Sequence, residues 1–532
     1  MTRICWTERE LAEHFPDLRP EGGVDLDGDG AIAGPETTDR NGDGDVSAEE
    51  WKTFLGDNAD ALKALGGFFP TYYAHGTSLS VDNPIHDILQ VESKATTESE
   101  TADVYGAVSR LLKEYERFKI TGGTPASLAS IRMQMLYNAL WSTGFRNGVT
   151  YESMLTTAVA DKMVDCDSSA YLVMGAAHEL GWPLGVVPAP EHLFLRYDDG
   201  KGIRFNIDMG RIKSDRYYID LFGIDIRAVK KGVFLKTLGR SYIVSNALTN
   251  RASHWHRKRG DSAKALKDNE EALHSAPENT VALFNSICNL TDIAGESLWL
   301  QEIMEDLASR LQRPGPKPRM TPDEVETLYE EALARIKRLE QLEYRKVSTA
   351  SLRSRIHIAK GKLDLALAEC KRGLDTDEIA DYISMRKAYI HMRIAHIMSK
   401  RKEREKAMTH AEQAIATSKD DDETLAAAYN TRGDIQMNAG MYDAAMKDYD
   451  EAARLGPHNS SIRFARAGAL YRLERFDEAI ADMQHAIELS PSIREELREC
   501  IGMIEELKER KRWREKDMKR PHHNAVHLRF NL

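Results

Sequence analysis

The sequence predicts a multidomain α+β chain in which a small acidic loop domain precedes an α+β domain with an antiparallel sheet, and an all-helical array follows. Three observations predict it. Two Asp/Gly-rich stretches of twelve residues lie between Asp25 and Glu50; short apolar runs alternate with turn residues between Leu184 and Ile207; beyond about residue 246 a helical pattern recurs at a fixed stride. At 532 residues the chain exceeds the roughly 250–300 residues that one hydrophobic core organises, so several domains are expected. We divide it at 1–66, 67–245, 246–495 and 496–532.

The first unit opens with a short predicted helix over 7–15, capped by Thr7 with Glu10 and broken by Pro16, Pro20, Gly22 and Gly23. Ser47 and Glu50 form a second capping box, ahead of a helix whose Trp51, Phe54 and Leu55 share one side. From Asp25 to Glu50 nine carboxylates are offset by Arg40 alone. Asp25-Leu-Asp-Gly-Asp-Gly-Ala-Ile-Ala-Gly-Pro-Glu36 fits the EF-hand loop, with oxygen ligands from Asp25, Asp27 and Asp29, a turn at Gly30, the carbonyl of Ala31, and Glu36 closing the sphere. Asp39-Arg-Asn-Gly-Asp-Gly-Asp-Val-Ser-Ala-Glu-Glu50 fits again through Asp39, Asn41, Asp43, the carbonyl of Asp45, and Glu50. Two Ca2+ ions are therefore expected. Only Thr37 and Thr38 separate the loops, which leaves no length for full intervening helices and points to a structural or buffering role rather than an opening switch.

In the second unit Val104, Val108, Leu111, Leu112 and Tyr115 form a helical stripe, and another helix runs through Ile131 to Leu140. Residues 167–180 read as a helix stopped by Gly181. Leu184–Val187, Leu193–Tyr197 and Ile203–Ile207 read as strands, with Asp198-Asp199-Gly200 as the clearest turn.

In the third unit Ala445, Ala452 and Pro457 recur as Ala479, Ala486 and Pro491, 34 residues on. That is the tetratricopeptide (TPR) period, and Tyr429, Gly433, Gly440, Ala445, Tyr449, Ala452 and Pro457 occupy its small and large positions over 426–459. A good match covers 246–279, and weaker ones fit 281–314, 347–380 and 388–421. About six stacked helix pairs are expected, forming a TPR solenoid whose groove takes a protein or peptide. The charged segment 493–517 reads as the helix that caps the last unit, and His522-His523 as part of the tail.

Residues 159–210 resemble the bacterial transglutaminase-like superfamily, in particular its SirB-type members joined to TPRs. The resemblance rests on Val164-Asp-Cys-Asp-Ser-Ser-Ala-Tyr, Leu180-Gly-Trp-Pro-Leu-Gly-Val-Val, Pro190-Glu-His-Leu-Phe-Leu-Arg-Tyr and Phe205-Asn-Ile-Asp-Met-Gly, and it extends loosely over 105–245. It implies a papain-like fold with a catalytic triad, which falls on Cys166, His192 and Asp208. The residues agree with that placement, since Cys166 starts a predicted helix, where the macrodipole favours a thiolate, while His192 opens one strand and Asp208 ends the next. Asp165 and Asp167 flank the cysteine and oppose its ionisation, and Glu191 stands where the family often has glycine.

Composition bounds the remaining classes. A net charge of −11 argues against nucleic acid as a partner. No apolar run reaches the ~18 residues of a membrane span, and the residues after Met1 lack the apolar core of a signal peptide, so no membrane insertion and a cytoplasmic location are expected unless an earlier start adds a signal. The five scattered cysteines, Cys5, Cys166, Cys288, Cys370 and Cys500, form no CxxC pair and predict neither disulfides nor zinc. The expected function is that of a calcium-binding, TPR-containing cysteine hydrolase or acyltransferase acting on amide bonds of a protein or peptide. The alternative is a non-catalytic TPR scaffold carrying a degenerate transglutaminase-like domain.

Overall fold

The computed structural model describes residues 6–7, 45–46, 79–80, 82–118, 124–148, 154–190, 192–315, 317, 319–375, 381–419, 421–490 and 494–518. Of the first unit this leaves β1 (Trp6–Thr7) and β2 (Asp45–Val46), which pair antiparallel. Thr7 is thus in a strand rather than at a helix cap. The two acidic loops otherwise lie outside the described residues, as do Cys5 and His522-His523.

The α+β unit begins with α1 (Pro84–Glu92), α2 (Glu98–Tyr115) and α3 (Pro125–Ser142), each entered through a side-chain cap from Asn83, Thr97 or Thr124. β3 (Arg146–Asn147) pairs parallel with β4 (Met163–Val164) around α4 (Leu155–Asp161). α4 has no cap of its own at Met154. The buried Glu92 of α1 supplies it instead, accepting from the Leu155 amide at 2.7 Å and from the Thr156 amide and hydroxyl at 2.9 and 2.8 Å. α5 (Cys166–Glu179) follows, and then β5 (Leu184–Ala189), β6 (His192–Asp198), β7 (Arg204–Asp208) and β8 (Arg211–Lys213) run as an antiparallel meander in that order. The fourth strand, together with α1 and α4, was not legible in the apolar pattern because each is short or polar.

Alternation along the sheet decides how the units join. Val186, Leu193, Leu195 and Ile207 face the core made by α1–α5. Val187, Ala189 and Phe194 face the other way, into a second core with Tyr218 of α6 (Asp215–Phe222), Ala228 of α7 (Ile226–Lys230), and residues of the helical array such as Leu283, Tyr329 and Ile356. Both faces of the sheet are buried, one of them beneath the array.

The array consists of α8 (Arg240–Arg259) with α9 (Ser262–Ser275), α10 (Thr280–Arg310) with α11 (Pro322–Gln341), α12 (Lys346–Ala359) with α13 (Leu363–Leu374), α14 (Asp381–Lys400) with α15 (Arg404–Thr417), α16 (Asp422–Asn438) with α17 (Tyr442–Leu455), and α18 (Ser460–Arg472) with α19 (Phe476–Leu489). α20 (Arg494–Met518) closes it, as the charged segment predicted. The small residues work by proximity: a Cβ added at Gly433 of α16 would meet the Tyr449 ring of α17 at 2.6 Å. Two features depart from expectation. The border at 245/246 falls inside α8, whose Tyr242, Ile243 and Ala247 belong to the core of the α+β unit. The expected pair at 281–314 is one continuous helix, α10, with no proline between its halves; its end, through Met304, Leu307 and Leu311, packs in one core with α18 and α20.

That packing bends the array back on itself. Tyr471 of α18 donates to Asp306 of α10 at 3.4 Å, Arg313 reaches Glu506 of α20 at 3.4 Å, and Ser490 donates to the carbonyl of Gly260, just after α8, at 3.2 Å. The last repeats therefore touch both the first repeat and the long α10. Among the described residues no helix is long and apolar enough to cross a membrane.

Candidate active site

Cys166 is the first residue of α5. The preceding Asp165 caps the helix, accepting from the Ser168 amide at 2.9 Å and from its hydroxyl at 2.7 Å, while the Ser168 hydroxyl accepts from the Asp165 amide at 2.9 Å. α5 is buried nearly all round from Ser168 to Ala177, because α1, α2 and β6 surround it. A buried helix with a reciprocal cap is a rigid mount for its first side chain.

His192 opens β6, and its Nε2 lies 2.7 Å from Oδ2 of Asp208, the last residue of β7. The two strands pair antiparallel from Leu195 opposite Ile207, which carries the imidazole and the carboxylate to the same end of the sheet. Asp208 is fixed from a second direction by the Tyr218 hydroxyl of α6, which donates to the same oxygen at 3.3 Å. The imidazole is walled by Phe194, Tyr218 and Phe222, with ring centroids at 6.3, 6.1 and 5.4 Å. Because Nε2 faces the carboxylate, Nδ1 is left for proton exchange.

The turn after Asp208 brings β7 up to the start of α5. Met209 and Gly210 both take positive φ, 50° and 85°, and the Ser169 hydroxyl donates to the Met209 sulfur at 2.8 Å. A side chain at Gly210 would be strained at that φ and would bring a Cβ to 3.1 Å from Cβ of Tyr137 on α3.

The electrostatics divide the three groups. Burial pulls the His192 value down, but the bond to Asp208 and the charges of Asp208, Asp167 and Asp165 overcome it, and the net shift is upward. For Cys166, burial first, and then the carboxylates of Asp167, Asp165 and Asp208, push the thiol well up, against a backbone amide of Leu193 that favours the thiolate. The thiol itself is directed at Asp167, with Sγ 3.4 Å from Oδ1. Among the described residues no hydrogen bond joins Cys166 to His192. The structure thus holds an assembled His–Asp pair and, beside it, a cysteine at a helix N-terminus whose burial and acidic neighbours disfavour the thiolate.

Sequence reasoning singled out Cys166, His192 and Asp208 but not the side chains that fix them. Nothing in the sequence pattern ties Tyr218 or Tyr137 to the site. Asn246 and Asn250 of α8, whose Nδ2 atoms donate to Oδ2 of Asp167 at 2.8 and 3.2 Å, read as part of a repeat; their only signal was a pair of carboxamides one helical turn apart. Glu191 lies outside the described residues. Of the candidate calcium ligands, Asp25, Asp27, Asp29, Ala31, Glu36, Asp39, Asn41, Asp43 and Glu50 also lie outside them, and Asp45 is described as part of β2. Among the described residues no group of three or more His, Cys, Asp or Glu side chains is arranged to hold a metal.

Residues 430–492 match the family model for the tetratricopeptide repeat. No curated protein matches the chain. Among solved structures, the chain is similar to a TPR protein of Thermus thermophilus (17% identity, 38% of this chain and 98% of that one, TM-score 0.28). It is also similar to YrrB, a TPR protein with an unusual peptide-binding site (13% identity, 45% and 97%, TM-score 0.22), and to human IFIT1 (15% identity, 56% and 72%, TM-score 0.30).

Proposed function

We propose that this chain is a cysteine hydrolase or acyltransferase of transglutaminase-like type that acts on an amide bond of a protein or peptide, with the TPR array holding the partner and the two acidic loops binding calcium. The observation that carries the reading is the 2.7 Å bond between His192 and Asp208 at the sheet end facing the first turn of α5. In the reaction, Nδ1 of His192 takes the proton of Cys166, and the thiolate adds to the carbonyl carbon. The negative charge gathers on the carbonyl oxygen, where the N-terminus of α5 favours it. As the C–N bond breaks, the imidazolium returns its proton to the departing amine. Water or a second amine then attacks the thioester, with His192 as base, and frees Cys166. Asp208 holds the imidazole and balances its charge without taking the proton.

The calcium assignment rests on the two twelve-residue ligand patterns, in which Glu36 and Glu50 would each close a coordination sphere. The second reading, a non-catalytic scaffold, is favoured by the contact of the thiol with Asp167 in place of His192. Labelling of the full chain by iodoacetamide, located by mass spectrometry, separates the two. On the catalytic reading His192→Ala slows labelling of Cys166 about tenfold, and Asp208→Asn slows it less. Equal rates at Cys166 and Cys288, indifferent to His192→Ala both in the native chain and with Asp167→Asn, would establish the scaffold.

A further inference from the structure

Asp167 is the second residue of α5, and a carboxylate there ordinarily points to solvent near the positive end of its helix. Here it is held inward. Its Oδ2 accepts the two carboxamide donors of Asn246 and Asn250, and its Oδ1 remains for the Cys166 thiol at 3.4 Å. Asn246 is fixed in turn, with Nδ2 2.7 Å from the Tyr171 hydroxyl. Both asparagines belong to α8, the helix that also forms the first repeat with α9.

We propose that Asn246 and Asn250 are positioning residues that clamp Asp167 over Cys166, so that the first helix of the repeat array holds the nucleophile's proton and keeps it from the His192–Asp208 pair. The proposal rests on the catalytic reading above and adds its regulation: a partner that moves α8 would free Asp167 and release the thiol. The groups facing Cys166 are Asp165 and Asp167 on α5, His192 on β6, Asp208 on β7 and Tyr137 on α3. Those facing Asp167 are Cys166, Asp165, Tyr171, His192 on β6 and, from α8, the neutral Asn246 and Asn250 with Tyr242. Burial and the neighbouring Asp165 already raise Asp167, while both asparagines and the thiol favour its ionised form. Removing its charge removes the largest negative neighbour of the thiol.

The test is the pH profile of iodoacetamide labelling at Cys166 in the full chain. Asp167→Asn keeps the shape and an oxygen for the two carboxamides and turns an amide toward sulfur. It should lower the midpoint by a pH unit or more, and at pH 7 should speed labelling about threefold per unit, since tenfold more thiolate is offset by its weaker nucleophilicity. Asn246→Ala should shift the midpoint in the same direction by less. A midpoint unmoved in Asp167→Asn overturns the clamp, whatever the change in thermal stability. Crossing each variant with His192→Ala separates the two ideas. If His192→Ala is silent even in the Asp167→Asn background while Asp167→Asn still shifts the midpoint, the catalytic reading fails and Asp167 holds the thiol without regulating catalysis; if His192→Ala slows labelling but Asp167→Asn leaves the midpoint unmoved, the catalytic reading stands and the clamp fails.

Discussion

A buried ion pair ties the two helices of the first repeat together beside α1. Arg251 of α8 is 1% exposed and Asp268 of α9 is 6% exposed; Nε and Nη2 of the arginine donate to the two carboxylate oxygens at 2.7 Å each, and Nη1 donates to the carbonyl of Val91 at the end of α1. At 2.7 Å and an effective dielectric of ~20, the gross attraction is about 6 kcal/mol. Asp268→Ala removes it and leaves a guanidinium stranded beneath three helices, for which breaking one partner of a buried pair typically costs about 3–5 kcal/mol. With a urea slope of about 2 kcal/mol/M, the unfolding midpoint followed by helical ellipticity should fall by about 2 M. The joint replacement Arg251→Met with Asp268→Leu should recover most of that loss, because an apolar pair of similar volume is nearly neutral against a buried ion pair. A midpoint shift under about 0.5 M for Asp268→Ala, or a double variant no better than the single, would refute the view that the Arg251–Asp268 pair holds the first repeat together.

Two further outcomes are expected. Asp434 of α16 is pushed up to about 6 by burial, against the Tyr449 hydroxyl that donates to it at 2.8 Å. An acid raised in the fold contributes stability that is full below about pH 4 and is lost as pH rises through 6. Asp434→Asn should therefore stabilise the full chain at pH 8 by up to about 3 kcal/mol, with the gain shrinking toward pH 4.5, as read from urea midpoints at the two values. For calcium, calorimetric titration of the full chain should show two sites, with one lost in Glu36→Gln and one in Glu50→Gln because each closing carboxylate supplies two oxygens; unchanged stoichiometry in both variants would remove the assignment.

What could be read from sequence alone was what local rules decide. The 34-residue recurrence of Ala445, Ala452 and Pro457 located the last repeats, since small residues at helix crossings are a nearest-neighbour requirement that a linear chain displays. Cys166 could be placed at a helix start and His192 and Asp208 on neighbouring strands, because period and turn residues mark element ends. What tertiary structure decided was everything set by contacts distant in sequence. α8 serves both the α+β core and the first repeat, because its apolar Tyr242, Ile243 and Ala247 pack with a core formed mainly by α1–α5 and the sheet. α10 runs straight through a predicted turn because Met304, Leu307 and Leu311 find a core with α18 and α20, a contact that spans more than 150 residues of chain and that no helical period encodes. The state of Cys166 followed the same division. Its flanking aspartates were visible in the sequence, but whether Asp167 faces water or sulfur depended on two carboxamides about 80 residues further along the chain, brought there only by the docking of α8.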